Sequence, residues 1–420
     1  MASILVYTSP ARGHLYPALG VALELQQRGH DVHVRTLAEE VDRVRSLGLS
    51  ADAIDPAIEA LDMDDWRASN PMGALKLSMK VFGDRAEHEV DDALGAISQS
   101  SADALLVDTN SWGAQAVAEA SGLPWASFQP YFTPLPGRGV PPFGPGFRRN
   151  TGVSGRLRDE IAGRLTFGRL SKLALPGINA QRTRLGLAPL TTMESFLTRP
   201  PRVIYFTAEA LEYPRESWPE SFRFVGPAAW GPESDEPEWM SEVNRPIVLV
   251  TCSTERQEDA AILDAALEGL PQEGYFVVGT SAAFSRDELA MEPPPQSRVE
   301  RFIPHDSILP RATAVVCHGG MGITQRALAH GVPVVVVPFG RDQLEVARRV
   351  EDAGAGVRLP PKDLGASSLA SAVREAISLG AGAQRMAAAF SEYGGAGTAA
   401  DVFEELLKQD SPTAGRGLNS

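Results

Sequence analysis

Cysteine is scarce in this chain of 420 residues: only Cys252 and Cys317 occur, each inside an apolar run that reads as a buried strand. A disulfide-stapled scaffold is thereby left out, and two reduced, inert core thiols are expected. Long apolar runs are missing too. The longest, Val332 to Phe339, is far short of the roughly 20 residues that cross a bilayer. The opening Met1 to Pro10 has no basic region and only Ile4 to Tyr7 as an apolar stretch, so it does not read as a signal peptide, and residence in the cytoplasm is the expectation. Positive charge is in deficit, with 39 Lys and Arg against 53 Asp and Glu and a net charge of −14. That balance repels a phosphate backbone or an anionic lipid surface, so no nucleic-acid partner is expected. An anionic small ligand must instead be held by local positive ends of the fold, such as helix N-termini.

What is present is the composition of an ordinary globular chain, 43% hydrophobic and 22% charged. At roughly 150 residues per domain the length suits two or three domains. Ile4 to Thr8 is a short apolar, β-branched run, followed by the loop Ser9 to His14 and a helix with Pro17 near its first turn and Gly29 past its end. Asp31 to Thr36 is the next strand. Such a unit implies parallel strands, a right-handed crossover and a ligand-ready loop after the first strand. The second half repeats this grammar: strand Pro246 to Thr251, helix Ala260 to Leu270, strand Tyr275 to Val278, then Ala314 to Cys317 leading through a Gly-rich loop into the helix Gly322 to His330. Two doubly wound α/β halves are the simplest architecture. The Pro, Gly and acidic residues after Pro214 place a linker at 227–245, between an N-terminal domain at 1–226 and a C-terminal one at 246–395. A last helix at 396–408 and a disordered tail at 409–420 complete the division. Two stretches, Asp52 to Met72 and Phe128 to Arg149, read as long loops, which suits binding walls or exposed excursions equally.

The strongest chemical signal is His318-Gly319-Gly320-Met321-Gly322-Ile323-Thr324, between a buried strand and a helix. Glycines there admit close backbone approach, and the free amides and dipole of a helix start favour a phosphate. A glycine-rich turn with a structural histidine is the plainer alternative. The missing Lys excludes a P-loop, and Gln325 stands where a dinucleotide fingerprint needs its third Gly. His14 sits at the carboxyl end of the first strand, where open α/β sheets place ligands. Its neutral imidazole suits a general base for a hydroxyl, and such a base needs an orienting carboxylate. Asp108, after the run Ala104 to Val107, ends a neighbouring strand and could reach it, or could cap the helix starting near Ser111. Asp342 likewise stands at a sheet edge or caps the helix that follows it.

His318 to Ala327, with Gly331-Val332-Pro333, Pro338-Phe339-Gly340-Arg341-Asp342-Gln343 and Ala353 to Gly356, closely resembles the nucleotide-sugar signature of the GT-B glycosyltransferases that decorate natural products. Gly13-His14-Leu15-Tyr16-Pro17 is similar to that family's N-terminal Gly-His-x-x-Pro element, so the likeness spans residues 3 to 405. The resemblance implies an α/β fold of two facing Rossmann-like domains with a cleft between them, and an inverting, metal-independent sugar transfer from a UDP or dTDP sugar to a hydroxyl of a macrolide, polyketide or polyphenol. No cofactor beyond that co-substrate is implied. His14 and Asp108 then form the catalytic dyad. Ser253, Thr254 and His318 with Gly319, Gly320, Gly322, Ile323 and Thr324 hold the diphosphate, Phe302 and Ile303 the base, and Asp342 and Gln343 the sugar hydroxyls. Trp66, Met72, Phe132 and Phe143, from the two long loops, are the expected wall for a large apolar acceptor.

The sequence departs from the family's pattern at three places. Ile323 replaces a usual Thr or Ser, His305 a frequent Gln, and Arg326 a frequent Glu that accepts from the ribose hydroxyls. Arg has no acceptor, so tolerance of deoxythymidine as well as uridine donors is expected. Asp62-Met63-Asp64 fits a metal-holding Asp-x-Asp pattern but follows no strand, and no metal is expected there. A nucleotide-sugar epimerase of the same architecture and a non-catalytic auxiliary subunit are the rival functions, and a homodimer is left open.

Overall fold

The computed structural model describes residues 1–410, apart from 69, 151, 228–229, 232–234, 255–256, 258 and 286–287. Part of the expected linker and, from 411 on, the expected tail lie outside the described residues. The N-terminal half runs β1 (Ser3–Tyr7), α1 (Arg12–Gln27), β2 (Asp31–Thr36), α2 (Val41–Ser46), β3 (Ser50–Ala53), α3 (Pro56–Glu59), α4 (Pro71–Ser100), β4 (Ala104–Asp108), α5 (Trp112–Ser121), β5 (Trp125–Gln129), α6 (Val153–Arg184), α7 (Met193–Leu197), β6 (Arg202–Tyr205) and β7 (Phe222–Phe224). The C-terminal half runs β8 (Ile247–Thr251), α8 (Ala260–Gly269), β9 (Phe276–Thr280), β10 (Ser297–Glu300), β11 (Ala312–Cys317), α9 (Met321–Ala329), β12 (Val334–Val336), α10 (Gln343–Asp352), β13 (Gly356–Arg358), α11 (Ala366–Ser378), α12 (Gly380–Ser391) and α13 (Ala396–Asp410).

The strands form two parallel sheets, in the orders β3-β2-β1-β4-β5-β6-β7 and β10-β9-β8-β11-β12-β13. The central strands β1, β4, β8 and β11 are almost wholly buried because helices cover both faces of each sheet, which is why they read as continuous apolar runs. In each sheet the order reverses beside the first strand, at β1/β4 and at β8/β11, and a crevice opens there past the carboxyl ends. Register aligns those ends: Tyr7 lies opposite Val107, and Thr251 opposite Cys317. The loops after β1 and β4 therefore meet at one place, and those after β8 and β11 at another.

Three local findings differ from the sequence reading. Helix α1 starts at Arg12, so Pro17 lies inside it rather than near its first turn. The stretch 52–72 contains the end of β3, α3 and a 3₁₀ turn at Asp64–Arg67. Helices α4 and α6 are long, yet apolar periodicity did not announce them, because each is buried only along short patches. They cross at Gly83 and Gly177, where a Cβ on Gly177 would come 2.9 Å from the Gly83 Cα.

Helix α13 packs on α1 and β6, with Phe403 and Leu406 in the core of the first sheet. Arg28, just past the end of α1, fixes it: its guanidinium pairs with Asp401 at 2.5 Å, Glu404 at 3.2 Å and Glu24 of α1 at 2.8 Å, and donates to the Gly397 carbonyl at 3.0 Å. In the linker, Trp230 sets its ring edge-on to Tyr16 at 5.4 Å, and its carbonyl accepts from Arg326 of α9.

One buried carboxyl beneath the first sheet's crevice gives a stability test. Glu89 of α4 accepts from the Gly113 amide at the start of α5 at 2.8 Å, and burial pushes its carboxyl up to about 8 against the opposing pull of that hydrogen bond and Arg85. A raised acid binds its proton more tightly in the folded chain, so its contribution to stability falls as pH rises from about 4.5 towards 8. Glu89→Gln keeps the accepting oxygen and removes that ionisation. Thermal midpoints at pH 5.5 and 8.5 should differ less in the variant than in the parent; an equal or larger difference assigns the effect to another group.

Candidate active site

His14 lies in the first turn of α1, carried there by the tight loop after β1. Asp108 is the last residue of β4 and fully buried. Strand pairing sets them face to face: His14 Nδ1 is 2.8 Å from Asp108 Oδ2 and 3.0 Å from Oδ1. Asp108 also accepts from the Ser9 hydroxyl at 2.8 Å, the Ser9 amide at 3.1 Å and the Asn110 amide at 2.8 Å. Burial alone would raise this carboxyl, but the His14 imidazole and those donors outweigh it and hold it below its ordinary value. An ionised, acceptor-only Asp108 fixes the proton of His14 on Nδ1 and makes Nε2 the basic nitrogen. Asp108 does not cap α5, whose N-cap is Ser111.

His14 opens onto a cleft of about 2300 Å³ between the two sheets. Facing it across that cleft are residues from the crevice of the second sheet: Ser253 and Thr254 after β8, His318 after β11, and Gly340 to Gln343 before and at the head of α10. Helix α9 has Gly320 as its N-cap and no side-chain cap. The amides of Gly320, Met321, Gly322 and Ile323 therefore have no partner within the helix, whereas the Thr324 amide already donates to the Gly320 carbonyl at 3.1 Å. Two glycines are required here. Gly319 has φ +99° and a Cβ on it would come 2.7 Å from Val336, while a Cβ on Gly320 would come 2.6 Å from the His318 ring.

The His318 ring is held neutral: burial and the Arg341 guanidinium bring it down to about 4, against a raising hydrogen bond with the Thr251 backbone. Its Nδ1 is 3.7 Å from Asp259, beyond hydrogen-bond reach; that buried carboxyl accepts from the Ser253 amide at 2.6 Å, and burial pushes it up to about 6. Asp342 lies within electrostatic reach of His14, and burial raises its carboxyl. It does not cap α10 with its side chain. Gln343 Oε1 accepts from the amides of Phe339 and Gly340 at 2.7 and 3.1 Å, and its Nε2 donates to Gln257 at 2.9 Å, so most of its amide braces the loop that presents Asp342. Phe302, with Ile303 beside it on the wall, is 55% exposed into the cleft, not a core aromatic.

Two expected site residues are corrected. Phe132 is fully buried, with the Arg349 guanidinium 4.1 Å above its ring, and does not line the cleft. Its neighbour Tyr131 lines the cleft instead. Thr324 is fully buried with its hydroxyl 3.7 Å from the Cys317 sulfur, so neither its side chain nor its amide faces an anion. Trp66, Met72 and Phe143 do line the cleft, Trp66 with the Arg67 guanidinium 4.9 Å from its ring. Arg326 is engaged with Asp306 at 3.1 Å and with the Trp230 carbonyl, so a glutamate there would face Asp306 and break a tie to the linker. Cys252 and Cys317 are free and buried, and burial pushes the Cys317 thiol up to about 11.

Sequence reasoning missed several partners. Tyr131 stacks obliquely on His14 with ring centres 5.7 Å apart and donates to Asn110 at 2.7 Å. Arg341, a non-glycine residue at φ +53°, reaches across the cleft and pairs through both Nε and Nη2 with Asp65, at 3.1 and 2.9 Å. That pair ties the loop before α10 to the acidic stretch of the first domain. No short-range pattern signals it, since the partners are 276 positions apart. Among the described residues, no group of three or more His, Cys, Asp or Glu is placed to hold a metal ion, and no helix is long and apolar enough to cross a membrane.

Two parallel Rossmann-like sheets, with the His14–Asp108 pair on one side of the cleft between them and an uncapped helix start on the other, are the arrangement of the GT-B fold. Comparisons with known proteins give the family. Residues 274–403 match the family described as erythromycin biosynthesis protein CIII-like, C-terminal domain. The chain is 32% identical over 387 residues to 4'-demethylrebeccamycin synthase of Lentzea aerocolonigenes, covering 89% of this chain and 91% of that protein. In fold it is similar to the calicheamicin glycosyltransferase CalG4, with a TM-score of 0.74 at 21% identity over 98% and 100% of the two chains. It is similar also to the glycosyltransferase VinC crystallised with dTDP, with a TM-score of 0.69 at 20% identity over 97% and 100%. The chain belongs to the natural-product glycosyltransferases of GT-B fold, and it is a glycosyltransferase.

Proposed function

We propose that the enzyme transfers a sugar from a nucleoside-diphosphate donor to a hydroxyl of a hydrophobic small molecule, such as a macrolide, polyketide or polyphenol, with inversion and without a metal or other cofactor. The observation that carries this reading is the His14–Asp108 pair opening onto the same cleft as Asp342 and the start of α9. In the reaction, His14 Nε2 accepts the proton of the acceptor hydroxyl as the oxygen attacks the anomeric carbon. The new C–O bond forms as the bond to the diphosphate breaks, from opposite faces, so a single displacement inverts the centre. Asp108 stabilises the imidazolium that results. The negative charge that develops on the diphosphate meets the amides of Gly320 to Ile323, the dipole of α9 and the His318 ring, in the place a metal ion fills elsewhere. Asp342 accepts from donor-sugar hydroxyls, and the exposed ring of Phe302 offers a face to the base. Trp66, Met72 and Phe143 supply the apolar acceptor wall. That VinC was crystallised with dTDP supports a nucleoside diphosphate as the donor's leaving group.

Incubation with UDP- and dTDP-sugars and a panel of macrolide and polyphenol acceptors, read by mass spectrometry and by the anomeric coupling of the product, tests the proposal. A new glycoside of inverted configuration is expected; donor consumption without any glycoside overturns it. Turnover should survive EDTA unchanged, while His318→Ala should raise the donor KM and lower kcat together, because its contact strengthens as charge develops. Complete loss with chelator, restored by Mg²⁺, would return Asp62 and Asp64 to consideration.

A further inference from the structure

The first half of α6 carries an apolar stripe that none of the described residues covers. Val153, Leu157, Ile161 and Leu165 recur at every fourth residue and are 53–86% exposed. At 3.6 residues per turn they wind over an arc of roughly 120° and a length of about 18 Å. The opposite face of the helix supplies the buried positions Gly155 and Asp159 and the cleft-lining Gly163 and Phe167. Such a face on a helix inside a protein's own core would be covered; here it lies open beside the mouth of the cleft.

The charge around the stripe is the reverse of that of the whole molecule. Between residues 148 and 172 there are seven basic side chains, Arg148, Arg149, Arg156, Arg158, Arg164, Arg169 and Lys172, against Asp159 and Glu160 alone, in a chain of net charge −14. Asp159 is buried and pairs with Arg158 at 2.6 Å, and Glu160 pairs with Arg164 at 2.7 Å. By helical position Arg164 flanks one side of the stripe and Arg158 and Arg169 the other, with Lys172 in line beyond Leu165. In 0.1 M salt, charges more than about 10 Å away are screened, so the local basic face and not the net charge decides what docks there.

We infer that this face of α6 docks on an anionic lipid surface, with the apolar stripe among the acyl chains and the flanking guanidinium and ammonium groups at the phosphates. An apolar stripe bordered by cations is the pattern of a helix lying in a membrane interface. Pairing of the same face between two copies would set like-charged borders against each other. Docking in this orientation brings an edge of the cleft to the bilayer, since Arg164 and Arg169, which border the stripe, also line the cleft. An apolar acceptor dissolved in lipid then has a short route to His14. This last step rests on the hydrophobic acceptor proposed above, whereas docking itself does not.

Co-sedimentation of the full chain with phosphatidylcholine vesicles, with and without 30% phosphatidylglycerol, tests the inference without any sugar transfer, so its result is independent of the acceptor assignment. Binding to the anionic vesicles is expected, weaker by at least tenfold for phosphatidylcholine alone and lost in 0.5 M NaCl. Leu157→Glu with Ile161→Glu should abolish it, and Lys172→Glu should weaken it severalfold, with turnover of a water-soluble acceptor unchanged in both. Circular dichroism confirms that the variants are folded. Absence of binding by the parent protein, or equal binding by the double variant, overturns the inference. So does a dimer in sedimentation velocity that the double variant dissociates while vesicles leave the parent unbound, which would make the stripe an interface between copies.

Discussion

Replacing His14 by alanine lowers kcat by roughly 10² to 10⁴ and leaves donor affinity nearly unchanged. The size is that of a lost general base. The selectivity follows from geometry, because His14 and Asp108 belong to the first sheet's crevice, whereas Ser253, Thr254, His318 and the start of α9 belong to the second. Asp108→Asn should cost less than His14→Ala. It keeps one oxygen, enough for the Ser9 amide or the Asn110 amide but not both, since they donate to different oxygens of Asp108, and it offers a neutral partner to His14 Nδ1, which weakens the imidazole as a base and loosens its tautomer. Steady-state rates with saturating acceptor, beside donor affinity from titration calorimetry, separate the two quantities. Full turnover of a neutral alcohol acceptor by His14→Ala would remove His14 from the reaction.

The second large effect falls on stability. Arg349 of α10 is buried between Glu212 of the first domain, at 2.9 Å, and Glu345 of its own helix, also at 2.9 Å, and lies over the rings of Phe132 and Tyr213 at 4.1 and 4.2 Å. Glu345 accepts in turn from the amides of Gly144 and Gly146, and Glu212 from the Tyr205 hydroxyl at 2.6 Å. The cluster thus ties the proline-rich loop and the first sheet to the helix whose head carries Asp342 and Gln343. Arg349→Leu would leave two buried carboxylates without the cation between them, a cost of about 3–5 kcal/mol. For domains of this size the thermal midpoint should fall by roughly 6–20 °C. Because removal of the whole cluster is far milder than removal of one member, Glu212→Gln, Glu345→Gln and Arg349→Met together should recover most of the loss. A midpoint for Arg349→Leu within about 2 °C of the parent would show that the cluster contributes little.

Both effects involve residues whose partners differ greatly in how visible they were from the sequence. His14 and Asp108 were legible because each follows a short β-branched run, and parallel strands put the residues after their carboxyl ends at a common edge. The glycines at 319 and 320 were legible for a similar reason: a strand, a turn and a helix start succeed one another within ten residues. Glu212, Glu345 and Arg349 were not, since Glu212 stands 137 positions from Arg349 and nothing in its own segment distinguishes it from a surface acid. Phe132 was assigned to the wrong side for a related cause. Its loop has no repeating dihedral pattern, so sequence carries no face on which to place alternate side chains.

The strand runs, the helix start at Gly320 and the dyad's two carriers were determined by the sequence itself, because they depend on interactions within a few residues: β-branched stiffness, the freedom of glycine, and unpaired amides at a helix N-terminus. The tertiary structure alone decided which side chains meet across the cleft, from the Arg341–Asp65 pair to the cage around Arg349 and the open stripe on α6. Those contacts join segments far apart in the chain, and whether a charge is paired or an apolar residue covered depends on what the folded neighbour brings to it, which local sequence does not encode.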